Sequence, residues 1–285
     1  MTMACLAAAR ARRVFFVLKS IILIFALTCI GCASPAMRAE LAPPPTTQPT
    51  VATSPNHYYL LHLPGVGGKR SIDRALVLGL TRGGIEGEHD IYDWTGGPEG
   101  EGLPALANIQ HHRDEADKIA NMIVDHARKH PEMPIILTAH SGGCGLAVWA
   151  MEQLPPDVMV ENFVMLQSAL SPGYDLTKAL KHVRGKLYVF SSVNDTIVLG
   201  AGTRMFGTID RVKTDAAGRV GFTMPQTADG TQYQKLVPVP YRNDWLRYDN
   251  IGDHIGPMNV SFAQSIIAPL ILTGELPVDS GQSSR

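Results

Sequence analysis

Cysteine is scarce in this 285-residue chain: Cys5, Cys29, Cys32 and Cys144 are the four, and three of them fall within the first 32 positions. So few, so placed, exclude a disulfide-stapled scaffold and a paired-cysteine metal site. No H-E-x-x-H pair occurs either, which removes a common zinc-hydrolase signature. A surplus of charge is also missing, since 25 Lys and Arg stand against 26 Asp and Glu. Without a basic field, nucleic acid is not an expected partner. Aromatic residues make up only 7%, and no internal repeat is found. What is there is 45% hydrophobic content, enough to fill a core and to exclude wholesale disorder. The length suits one α/β domain.

Long uninterrupted apolar runs are absent too. Residues 1–13 carry Arg10, Arg12 and Arg13 and no acid, and an apolar run follows from Val14 to Gly31, broken by Lys19 and Ser20. Its unbroken part, Ile21 to Gly31, is short of the about 20 residues a spanning helix needs. A basic start, a short apolar stretch and then small residues read as a secretory signal peptide over 1–31. The segment Cys29-Ile30-Gly31-Cys32-Ala33-Ser34 resembles a bacterial lipobox, with Cys29 standing where a Leu is usual. That resemblance implies lipidation of Cys32, which would become the new N-terminus. Ala11-Arg12-Arg13-Val14-Phe15-Phe16 is faintly similar to a twin-arginine export signal. An uncleaved anchor helix from Val14 and ordinary cleavage remain the alternatives. Lipidation or an uncleaved anchor would give membrane association outside the cytosol. Residues 32–56, around Pro43-Pro44-Pro45-Thr46-Thr47-Gln48-Pro49, favour polyproline II and read as a linker.

From residue 57 to 275 the pattern changes. Tyr58–Leu63, His89–Trp94, Pro134–Thr138, Glu161–Leu166 and Lys186–Ser191 read as strands, and Lys235–Val239 as a sixth that Pro238 restricts to an edge. Between them Ser71–Leu80, Arg113–Lys129, Gly145–Leu154, Leu176–His182 and Met258–Ile267 read as helices. Residues 95–104 and 200–231 read as Gly-rich irregular segments, and 276–285 as a flexible tail. Most strands are continuous apolar runs. Alternating with helices, they predict an α/β fold, a mostly parallel central sheet flanked by helices on both faces.

The segment Ile135-Ile136-Leu137-Thr138-Ala139-His140-Ser141-Gly142-Gly143-Cys144-Gly145 is strand, tight turn, helix. Only small residues tolerate such a turn, and it presents Ser141 in a strained conformation above the sheet edge. The helix beyond adds the positive end of its dipole. This is a G-x-S-x-G pattern with Ala139 at the first glycine. On it, the chain from about Tyr58 to Leu272 resembles an α/β-hydrolase, and the A-H-S-x-G form is shared with small lidless bacterial lipases. The family's triad order, Ser then acid then His, implies an acid after a later strand and a histidine near the C-terminus. Asp195, in Ser192-Val193-Asn194-Asp195-Thr196, fits the acid, with Asp175 its rival. His254, between Gly252 and Gly256, fits the base. The loop Leu63-Pro64-Gly65-Val66-Gly67-Gly68 resembles the family's oxyanion loop with Pro64 in place of His. It implies Val66 and Gly142 as the two N–H donors. A Walker A reading of that loop needs Gly at Leu63 and Ser or Thr at Arg70, and neither is present.

Cys144 reads as a small packed residue, His140 as packed or hydrogen-bonded near the turn, and His111 and His112 as solvated. The implied chemistry is hydrolysis of an ester-type bond, in a small-molecule or lipidic substrate, through an acyl-enzyme and without a cofactor. The alternatives are a catalytically silent lipoprotein that binds a ligand with this fold, and an acyltransferase or thioesterase.

Overall fold

The computed structural model describes residues 57–97 and 108–277. The signal peptide, Cys32, the linker and all but the first two residues of the expected tail lie outside the described residues.

Six strands form one sheet: β1 His57–Leu63, β2 Glu86–Ile91, β3 Ile135–His140, β4 Asn162–Leu166, β5 Leu187–Ser191 and β6 Leu236–Pro240. Their order is β2-β1-β3-β4-β5-β6, and every pairing is parallel. Parallel neighbours need crossover connections, and helices supply several of them. These are α1 Ser71–Arg82, α2 Ile109–Lys129, α3 Gly143–Met151 and α4 Thr177–Lys181.

Because successive strand residues point to opposite faces, the continuous apolar runs feed two cores. Tyr59, Leu61, Leu63, Leu137, Phe163, Met165 and Val189 pack with α2 and α3 on one face. Leu60, Ile136, Val164, Leu166, Tyr188 and Phe190 pack on the other with α1 and the C-terminal helix. That last helix, α5, runs as Val260–Phe262, a wider π turn Ala263–Ile267, and Ala268–Thr273. The fold is α/β with helices on both faces, the α/β-hydrolase arrangement that the resemblance implies. Among the described residues, no helix is long and apolar enough to cross a membrane.

Three expectations are corrected by the packing. β2 lies three residues earlier than His89–Trp94, because register with β1 pairs His57 with Glu86 and His62 with Ile91. It is an edge strand with Glu86, Glu88, His89 and Asp90 exposed, so it carries no apolar run to read. α2 starts one turn before Arg113, where the Asn108 side chain accepts the His111 N–H at 3.0 Å. α5 extends past Ile267 to Thr273, with Pro269 in the first turn after the π segment, where a missing N–H is tolerated. β6 is an edge strand, as Pro238 required.

Candidate active site

The site sits at the C-terminal ends of β3, β4 and β5. β3 runs to His140, two residues further than the apolar run suggested, and Ser141 follows at φ 53°. A β-carbon in that left-handed region costs about 1–2 kcal/mol. The surroundings hold it there: Ser141 N–H donates to the Leu166 carbonyl at 3.0 Å, and the Ser141 carbonyl accepts from Ala169 N–H at 3.1 Å. The turn is tight enough that a β-carbon on Gly143 would collide with the backbone carbonyl oxygens of Pro64 and Leu63. That collision is the physical reason for a glycine there. Cys144 follows fully buried, its thiol directed at the Ala139 carbonyl. Burial pushes it up to about 12, so it is a packed residue, as expected.

The loop after β5 carries Asp195, 3% exposed. One carboxylate oxygen accepts the Leu199 N–H at 3.2 Å. The other lies 2.6 Å from His254 Nδ1. A carboxylate only accepts here, so Nδ1 carries a proton, and in the neutral ring Nε2 is then the lone pair. That lone pair faces the Ser141 hydroxyl at 3.0 Å. The three residues picked from the sequence therefore meet in one relay. Asp175 does not join them; its carboxylate accepts the Thr177 N–H two residues on, an ordinary turn aspartate.

His254 reaches the acid because its loop runs hard against the acid loop. Gly252 sits at φ 79°, and a β-carbon there would lie 2.8 Å from Ser192 Oγ and 2.9 Å from Asn194 Nδ2. Both the backbone angle and the space require glycine. Asn250, buried behind it, accepts the Gly252 N–H at 2.9 Å.

The loop 63–68 passes beside Ser141. Its turn closes with Gly68 N–H donating to the Gly65 carbonyl at 3.1 Å. A β-carbon on Gly65 would lie 3.2 Å from Ser141 Cβ, and one on Gly142 would lie 2.8 Å from Val66 Cγ1. Val66 and Gly142 are thus neighbours beside the serine.

Several residues escaped the sequence reading. Trp94, read as part of a strand, is fully buried and donates its indole N–H to the Pro64 carbonyl at 2.7 Å, tying down the loop 63–68. His112, read as solvated, is 1% exposed and lies between Trp94 and Trp149. His111 is tied to the Trp94 carbonyl at 2.7 Å. Gln167, just past β4, takes φ 49° and donates to the Asp253 carbonyl at 3.1 Å. No local sequence signal marks these four roles. His62 and Asp73 form a buried pair at 3.0 Å beneath the elbow, with Thr138 on the other ring nitrogen.

His140, 4% exposed, is held neutral. Burial first, and the facing His254 second, push it down to about 3. The unfolded chain takes up this proton near pH 6.5, the folded chain only near pH 3. Stability from this group is therefore complete above about pH 6.5 and falls as the pH drops, by about 1.4 kcal/mol per pH unit down to about pH 3. Urea-unfolding midpoints measured from neutral into acid pH should fall more gently for His140→Gln than for the native chain.

The sequence matches no family model and no curated protein. Among solved structures the chain is similar to RedJ with a PEG molecule bound in the active site. The identity is 18% over 72% of this chain and 89% of that one, with a TM-score of 0.35. It is also similar to a novel cutinase-like protein from Cryptococcus sp., at 14% identity, 76% and 94% coverage and a TM-score of 0.41.

Proposed function

We propose that this chain is a serine hydrolase that cleaves an ester-type bond through an acyl-enzyme. The observation that carries the reading is the continuous relay from Asp195 through His254 to Ser141, at 2.6 and 3.0 Å. In it Ser141 Oγ attacks the carbonyl carbon while His254 Nε2 takes the hydroxyl proton. Asp195 holds the imidazole in the required tautomer and stabilises the imidazolium. The Val66 and Gly142 N–H groups hold the oxyanion, a contribution worth about 10²–10³ in rate for each donor. His254 then protonates the departing alcohol. A water repeats the sequence in reverse and frees Ser141. Nothing in these steps calls on a cofactor.

An apolar acyl group suits the surroundings. Val193 and Ile197 flank Asp195, and Ile251 and Ile255 flank His254, all exposed; Met205 and Phe206 follow on the same excursion after β5. Exposed apolar side chains on the two loops that carry the acid and the histidine suit an apolar substrate better than a charged one. The address in residues 10–34 supports an exported protein, tethered through lipid on Cys32 or through an anchor on the periplasmic or outer face of a membrane.

A panel of p-nitrophenyl esters of rising chain length tests the reading, together with a serine-reactive phosphonate. Turnover that increases with chain length, and phosphonate labelling confined to Ser141, are the expected results. Intact folded protein that neither turns over any ester nor takes the label would sink the hydrolase reading and leave the silent binder.

A further inference from the structure

Three peptide carbonyls of the histidine loop are held by side chains from outside that loop. The Ile251 carbonyl accepts from Asn194 Nδ2 at 3.4 Å, the Asp253 carbonyl from Gln167 Nε2 at 3.1 Å, and the His254 carbonyl from His140 Nε2 at 2.9 Å. The donors are not scattered. His140 immediately precedes Ser141, Asn194 immediately precedes Asp195, and Gln167 is the first residue past β4. Each catalytic neighbour thus reaches across to fix the backbone that carries the imidazole.

We propose that His140, seconded by Gln167, is a positioning residue for His254: it fixes the peptide of the histidine so that Nε2 stays in line with Ser141 Oγ. The proposal rests on the hydrolase reading, and it assigns a task to the variable residue of the elbow.

Four observations support it. A carbonyl only accepts, so His140 Nε2 must carry the hydrogen, and a buried neutral ring keeps that tautomer. His140 is itself rigid, at the end of a central strand, with Gly65 closed against its Nδ1. The tie also closes a ring: a peptide bond joins 140 to 141, and hydrogen bonds join 140 to 254 and 254 to 141. Movement of the histidine loop therefore strains a bond to the serine's own strand. Finally, the two imidazoles are 4.8 Å apart. His254 becomes positive during acyl transfer, so the donor beside it has to be neutral; a cation there would oppose the step.

The test uses the full chain, as the native form and as His140→Leu, His140→Gln and Gln167→Met. Three readouts are taken: kcat and KM on a p-nitrophenyl ester, the phosphonate labelling rate of Ser141, and the low-field proton resonance of the His254 Nδ1–H. Misplacement of a reacting group by about 1 Å costs about 10²-fold. His140→Leu should lose about that factor in kcat and labelling rate, with KM within about twofold and the resonance broadened or lost. His140→Gln offers a neutral N–H donor and should recover most of the rate and the resonance. Gln167→Met should shift the same readouts in the same sense by less. A folded His140→Leu that labels at the native rate with its resonance intact overturns the proposal, and so does a His140→Gln no better than the leucine variant. Should His140→Leu not fold, native behaviour of Gln167→Met overturns it. A native chain that never labels refutes the hydrolase reading instead, and the resonance comparison still decides whether His140 holds His254.

Discussion

Ser141→Ala is expected to lower kcat on p-nitrophenyl esters by about 10⁶-fold and to abolish phosphonate labelling. Alanine keeps the β-carbon, so the left-handed backbone at φ 53° is no more strained than before. The hydrogen bonds from the Ser141 N–H to the Leu166 carbonyl and from the Ala169 N–H to the Ser141 carbonyl involve only main-chain atoms, so the elbow keeps its shape. The loss is then one of nucleophile, not of fold, and unfolding midpoints should stay close to native. In the proposed hydrolase the three residues act as a unit, so adding His254→Ala to Ser141→Ala should cost little more. Any activity that remains comes from the oxyanion donors and binding. An alanine variant that keeps ester turnover would show that the chemistry lies elsewhere.

Asp195→Asn should lower kcat by about 10⁴-fold with KM nearly unchanged. The reason is geometric. One oxygen of residue 195 accepts the Leu199 N–H, and only the oxygen of an asparagine can do that. Its NH₂ then faces His254 Nδ1, which must become the acceptor. The ring proton moves to Nε2, where it points at Ser141 Oγ and removes the base. Asp175→Asn serves as the control, since its carboxylate accepts the Thr177 N–H two residues on and does not reach His254; steady-state kinetics should barely change. Equal losses in the two variants would contradict the assignment of the acid.

How much of this was legible beforehand depends on whether a residue's task is local. The elbow and its serine could be read because the strained turn admits only small residues around Ser141, and Gly143 has no room for a β-carbon. Asp195 and His254 could be read because the resemblance dictated their order and because loop glycines bracket the histidine. Buried strands could be read as apolar runs. The edge strand β2 could not, because its Glu86–Asp90 stretch faces water and only its register with β1 makes it a strand. His112 gave no sign of its burial, since a histidine on a helix face reads alike whether water or Trp94 and Trp149 lie opposite.

The chain's own order of residues therefore determined the fold class and the elbow, because these follow from periodicity and from steric permission within a few residues, and the resemblance singled out the acid and the histidine that the structure brings to Ser141. Folding in three dimensions decided what holds them. Trp94 on the loop 63–68, and His140, Gln167 and Asn194 on the loop that carries His254, act across separations of 30 to 114 positions. Hydrogen bonds between such distant partners leave no periodic trace, since they depend on which loop ends the parallel sheet happens to bring together.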